Sequence, residues 1–121
     1  MRYLCLVHMA PDAFSGLSES DQRQLDRDSL AYDQELQAAG HYVASDALEG
    51  PQSAVMVKVR GGDISVTDGP FSETKEHLGG FILIEARDMN EAIRLAAGIP
   101  IAKYSTIEVR PVYLIPDPER P

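Results

Sequence analysis

The stretch Thr67-Asp68-Gly69-Pro70-Phe71-Ser72-Glu73-Thr74-Lys75-Glu76 gathers the residue types best suited to chemistry. An Asp-Gly-Pro turn is stiff. The Asp side chain bonds its own backbone two residues on, Gly relieves the turn sterically, and Pro fixes the next φ. This turn aims Phe71 at the core as an anchor and sets Asp68, Lys75 and Glu76 at the rim of a cavity, since site residues often lie on loops held by a rigid scaffold. The plainer reading is a rigid corner between a hairpin and a strand. In the chemical reading Asp68 is a proton-accepting carboxylate, and Lys75 and Glu76 shift its basicity in opposite directions. Glu108 and Arg110 stand two apart on the last strand, so they share a face, either as a structural ion pair or as the polar lining of a cavity. Lys75 or Arg110 would hold an anionic group of a substrate.

Other candidates are sparser. His8 closes a short apolar run; it is a second acid/base candidate if its strand face looks into a cavity, and otherwise a core histidine bonded to a neighbour. His41 follows Gly40 at a helix exit, where a surface cap is the default. Cys5 sits mid-strand among apolar residues and reads as a packed thiol. The chain has no glycine-rich dinucleotide loop, P-loop, HExxH, CxxC or Gly-x-Ser-x-Gly. One cysteine makes no internal disulfide and, with three histidines, no typical structural zinc site. The expectation is therefore a protein without metal or cofactor.

The elements that must position these residues follow from periodicity. Residues 2–9 (RYLCLVHM) are apolar on both alternating faces, the mark of a strand in a sheet covered on both sides. Pro11, Gly16 and Ser18 mark a loop. A helix is expected from about Glu19 to Ala39, with Leu25, Ser29, Tyr32, Leu36 and Ala39 at helical spacing and Gly40 ending it. Residues 41–48 resume as a strand. Ser53 to Thr67 reads as a hairpin, with Val55, Val57 and Val59 on one face and Gly61-Gly62-Asp63 turning. Gly79-Gly80 opens the strand FILIEA. Asp88 and Glu91 form a capping box for a helix with Ala92, Ile93, Ala96 and Ala97 on one side. Residues 105–115 are a last strand. The expected organisation is one domain over residues 1–115 and a proline-rich tail over 116–121.

Strand, helix, strand, hairpin, strand, helix, strand is an α+β order that suits a split βαβ arrangement, an antiparallel sheet with both helices on one face. Two helices leave the second apolar face uncovered, and a symmetric homodimer would bury it.

Charge narrows the partners. The 121 residues carry a net charge of −8, with eleven basic and nineteen acidic side chains, the wrong sign for gripping nucleic acid phosphates. Between Asp12 and Glu49, nine acidic and two basic residues place −7 of that charge. This is a solvated helix face or a docking face for a basic partner. No apolar run approaches the ~20 residues of a membrane span, and the N-terminal run is not a signal peptide, so a cytoplasmic protein away from membranes is expected.

DGPF at 68–71, SETKEHLGGF at 72–81, DMNEAIRLAAGIP at 88–100 and IEVRPV at 107–112 together resemble the DGPF branch of the YCII-related family, over essentially the whole chain. The resemblance implies a ferredoxin-like fold pairing into a dimeric α/β barrel, with a cavity between sheet and partner. Family members occur beside or fused to extracytoplasmic-function sigma factors. In YCII-type relatives a first-helix histidine and an aspartate of an Asp-Pro-Phe-like motif are the proposed catalytic pair. The resemblance matches Asp68 to that aspartate, with Gly69 inserted, and puts Ser29 near the histidine's position. The family's function is largely unassigned; the residues themselves read as a small-molecule enzyme, a cofactor-free lyase or isomerase moving a proton with Asp68, which a rigid turn fixes, or His8, and with Lys75, Glu76, Glu108, Arg110 and Ser29 around the ligand. The alternative is a non-catalytic ligand-binding or regulatory module.

Overall fold

The computed structural model describes residues 1–69 and 75–120, so Phe71, expected in the core, and the other residues of 70–74 lie outside the described residues. The strands are β1 (Arg2–Met9), β2 (Tyr42–Ala47), β3 (Val55–Arg60), β4 (Asp63–Asp68), β5 (His77–Glu85) and β6 (Thr106–Pro111); the helices are α1 (Glu19–Ala38) and α2 (Met89–Ala97). Four strands form an antiparallel sheet in the order β2-β5-β1-β6, and β3 and β4 pair separately as a hairpin. With the hairpin set aside, this is the α+β, ferredoxin-like split βαβ topology. β1 lies at the sheet's centre, antiparallel to both β5 and β6.

Each helix begins and ends for a local reason. Ser18 Oγ accepts the Asp21 amide at 3.0 Å and Asp21 Oδ2 accepts the Ser18 amide at 3.4 Å, a reciprocal cap for two otherwise orphan donors. At the far end Gly40 has φ 79, the His41 amide bonds the Leu36 carbonyl at 2.8 Å, and the Gly40 amide bonds that of Gln37 at 3.1 Å. This is a Schellman stop, and glycine supplies its left-handed residue without a Cβ penalty. Asp88 caps α2 by accepting the Glu91 amide at 2.9 Å. The Glu91 carboxylate reaches one residue further back than a capping box expects, to the Arg87 amide at 3.0 Å.

The core lies between the helices and one face of the sheet. Tyr3, Cys5 and Val7 of β1 pack there with Ile82 and Ile84 of β5, Leu36 of α1, Ala92 and Ala96 of α2, and Ile99. The buried stripe of α2 is Ala92 and Ala96 with Met89 and Leu95 packed beside them; Ile93, expected on that side, is exposed. The alternate residues of β1, Leu4, Leu6 and His8, face away from the helices and are half-buried. Their cross-strand partners Leu83, Phe81 and Leu78 share that open face.

Two expected boundaries move. Gly79 and Gly80 lie inside β5 and do not open it. A Cβ on Gly80 would meet the Asp46 carbonyl oxygen at 2.8 Å, so the close approach of β2 requires glycine there. β6 stops at Pro111, opposite Tyr3 at the start of β1, and Val112 makes one more bond, to the Arg2 carbonyl at 3.0 Å. Tyr113 onwards runs past the neighbouring strand and has no ladder to join. The hairpin turn is Gly61-Gly62 with φ 57 and 85, positive at both residues as a two-residue turn between right-twisted strands demands.

Cys5 is fully buried, and burial pushes its thiol up to about 11. The thiolate is the reactive form, so a packed thiol held protonated is inert. In the folded protein a thiol-specific disulfide reagent at about pH 8 should leave Cys5 unmodified, and in denaturant it should titrate one equivalent. Rapid labelling of the native protein would contradict this packing.

Candidate functional site

Where β1 ends, the sheet is irregular. Val7 pairs with Gly80 but His8 pairs with Leu78, so Gly79 is an extra residue on β5. A bulge of this kind redirects side chains at a strand end. Here it keeps Leu78 on the same open face as His8. The Gly79 carbonyl, out of register with β1, is satisfied by the Leu48 amide at 2.9 Å.

A cleft of about 780 Å³ opens at this point. His8, Leu78 and His77 line it from the sheet, Lys75 and Glu76 from the segment entering β5, and Ala47 to Pro51 with Ser53 and Ala54 from the connection to the hairpin. His8 Nε2 lies 2.8 Å from Glu108 Oε1. Glu108 is opposite Leu6, and Thr106 is opposite His8, so β6 delivers both to the open face. Arg110 Nε approaches the other Glu108 oxygen at 3.7 Å, and Thr106 Oγ1 donates to Glu76 Oε2 at 3.2 Å. A chain of contacts therefore runs Arg110–Glu108–His8 beside a second pair, Thr106–Glu76. All these groups retain solvent access; the His8 and Glu108 side chains are 31% and 44% exposed.

The structure thus brings together His8, Glu108 and Arg110, with Lys75 and Glu76 around the adjoining cleft. It does not bring Asp68 to them. Asp68 is the exposed last residue of β4, opposite Val55, and is not among the residues lining this cleft. Ser29 is elsewhere again, on α1, which packs against the opposite face of the sheet. His41 Nδ1 bonds the Glu85 carbonyl at 2.8 Å, joining the helix exit to the edge of β5. Among the described residues no three His, Cys, Asp or Glu side chains are placed to hold a metal ion.

Ser29 marks a second cavity, of about 160 Å³, between α1 and the sheet. Asp33 stands one turn further along the helix. Ser45 Oγ donates to Asp33 Oδ2 at 3.3 Å, and Tyr42 Oη lies 2.8 Å from Ser45 Oγ. Burial raises the Asp33 carboxyl above the usual range, with the Ser45 bond opposing it. Asp33, Ser45 and Tyr42 were not expected from the sequence. The signal was present in the spacing, since Ser29, Asp33 and Leu36 recur at four and three residues, but an acid in an acidic helix reads as solvated.

A four-stranded antiparallel sheet with two helices on one face, and a polar cluster on the other, defines a ferredoxin-like α+β domain with a ligand-sized cleft. The chain belongs to the YCII-related domain family, which it matches over residues 1–116. It is also 32% identical over 123 residues to an uncharacterised protein of Rhizobium meliloti (strain 1021), across 100% of this chain and 99% of that one. Among the described residues no helix is long and apolar enough to cross a membrane.

The raised Asp33 carboxyl gives a stability prediction. A carboxyl whose folded pKa exceeds its unfolded value of ~3.9 favours folding while protonated, and that contribution is lost as pH rises through the folded pKa. Asp33→Asn keeps an acceptor for Ser45 and removes the charge. The variant should therefore melt higher than the parent at neutral pH, and the gap should narrow as pH falls through the acid range. Melting curves from about pH 3 to about pH 8 test this; a gap independent of pH would show that the charge costs the fold nothing.

Proposed function

We propose that this protein is a small-molecule enzyme of the lyase or isomerase kind, moving a proton at a substrate carbon in the open-face cleft, with His8 as acid and base. The observation that carries this reading is the 2.8 Å contact of His8 Nε2 with Glu108 at the cleft wall. In the neutral ring the Nε2 proton is donated to Glu108, which leaves the Nδ1 lone pair as the base. When Nδ1 takes a proton, Glu108 stabilises the imidazolium, and the same ring returns the proton to another atom of the substrate. Glu108 is in turn steadied by Arg110. Lys75 supplies a positive charge for a substrate carboxylate, and Glu76 gives a second acceptor on the cleft wall. Asp68, exposed at the end of the hairpin, is the weaker candidate for the base. No cofactor is required for this chemistry, and the reading keeps the protein in the cytoplasm.

The active form in this proposal is a homodimer whose sheets face each other, giving the dimeric α/β barrel, with residues 1–115 as its domain and 116–121 as a tail. Leu4, Leu6, Phe81 and Leu83 make an apolar open face that no helix covers. Val55, Val57, Val59, Ile64 and Val66, on one face of the hairpin, are between 57% and 73% exposed. Apolar area on this scale, on one side of a small domain, is what an isologous interface buries. Sedimentation at micromolar concentration should give a dimer, and its interface should bury more than ~1,200 Å² in total. A stable monomer would overturn this part of the proposal.

The catalytic part is tested by proton exchange. The protein is incubated in D₂O with a panel of enolisable 2-oxo and 3-oxo acids, and loss of the proton next to the carbonyl is followed by ¹H NMR. At least one compound should exchange above the buffer rate. His8→Gln should remove the acceleration, a factor on the order of 10² or more for a lost general base. Glu108→Gln should lower it less, since the ring remains in place. No exchange across the panel, or exchange that His8→Gln leaves intact, would overturn the assignment. One observation favours the other reading, a ligand-binding or regulatory module: position 29 carries serine, which does not titrate near neutrality.

A further inference from the structure

We infer that the cavity between α1 and the sheet is a binding site for a small organic amine, held as its ammonium ion against Asp33. This site lies on the helix-covered side of the sheet and is independent of the open-face cleft. The argument starts from where the protons are. Ser45 has one hydroxyl proton and gives it to Asp33 Oδ2 at 3.3 Å. Tyr42, 2.8 Å from Ser45, must then donate its own proton to Ser45. The Tyr32 hydroxyl donates to the Leu95 carbonyl at 2.6 Å. The Tyr32, Tyr42 and Ser45 hydroxyls have therefore spent their protons, which leaves them as acceptors; Ser29, whose hydroxyl both donates and accepts, also lines the cavity. The other Asp33 oxygen has no hydrogen-bond partner among the described residues.

A wall of acceptors around a carboxylate selects a ligand that brings donors and positive charge. Among the described residues no lysine, arginine or histidine lines the cavity. An anion would meet the Asp33 charge with no cation to offset it, and a neutral apolar ligand would strand the carboxylate. An ammonium group brings three donors and the missing charge. The upward shift of the Asp33 carboxyl agrees with a charge that the protein itself leaves uncompensated.

The rest of the cavity sets the ligand's body. Val7, Ile82, Ile99 and Ile101 make its walls apolar. Its volume of about 160 Å³ is close to the ~150 Å³ of an apolar cavity that accepts benzene. The ligand class is a compact primary amine with an aromatic or branched aliphatic body, one ring in size.

Benzylamine, benzyl alcohol and benzoate share a body and differ in the head group, so they serve as probes. Each is titrated into the folded protein while backbone amide shifts are followed by ¹H–¹⁵N NMR. Benzylamine should give saturable shifts centred on Ser29–Asp33, Ser45–Ala47 and Ile99–Ile101. Benzyl alcohol should bind at least about tenfold more weakly, and benzoate should not bind. Asp33→Asn, which keeps shape and removes charge, should weaken benzylamine by about tenfold or more while leaving the spectrum's dispersion unchanged. Ser45→Ala should weaken it less. The inference is overturned if benzylamine gives no saturable shift, if its shifts map to Glu49 and Glu76 in the open-face cleft, or if benzoate binds as tightly. The selectivity among the three probes needs no variant, so a misfolded substitution would not rescue the idea.

Discussion

β1 runs down the middle of the sheet, and both helices pack on one side of it. That geometry places consecutive residues of one short strand in opposite environments. Tyr3, Cys5, Val7 and Met9 are buried under the helices, while Leu4, Leu6 and His8 look the other way. A shift of one residue in register would exchange the two sets, sending a histidine into the core and Cys5 to the open face. The pairing of β1 with β5 and β6 on both sides fixes the register. Most other features depend on it: the inert thiol, the apolar open face, and a histidine delivered to a cleft.

The polar groups of the open face rely on the same register. Glu108 and Arg110 alternate with Ile107 and Val109, which pack against the core side. β6 therefore works as a two-faced strand, with apolar residues towards the helices and charges towards the cleft. Such a charge pair on a half-open face contributes little net stability, because solvent screens it and ordering its side chains costs entropy. What it sets is geometry, with Glu108 Oε1 held 2.8 Å from His8 Nε2. The bulge at Gly79 acts similarly, trading one regular ladder step for a strand end at which His8 and Leu78 share the open face.

The sequence made the fold legible because its signals were local. Gly40, Gly61-Gly62 and Asp88 each announce a boundary through their own backbone chemistry, and the alternation in RYLCLVHM shows that both strand faces are apolar. The site was legible only in part. Glu108 and Arg110 were placed on one face by their spacing, but the contact of Glu108 with His8 depends on pairing between residues a hundred positions apart. Asp68 stands at the start of a stiff Asp-Gly-Pro turn whose residues 70–74 lie outside the described residues. Asp33 went unread. Its helix is acidic almost throughout, and only the approach of β2, with Ser45 and Tyr42, distinguishes it from its solvated neighbours.

The two cavities fall on opposite sides of one sheet and have opposite electrostatic characters. The open-face cleft mixes Lys75, His8 and His77 with Glu49 and Glu76, so its lining carries side chains of both signs. The helix-side cavity has carboxylate and hydroxyl acceptors and no cation among the described residues. Most of the chain's negative charge lies between Asp12 and Glu49, the segment containing α1 and β2, so the acceptor-rich cavity sits where the local potential is most negative. Burial opposes ionisation of Asp33, and the surrounding negative charge favours entry of a cation. β1 belongs to both sites, with Val7 in the wall of one and His8 in the wall of the other.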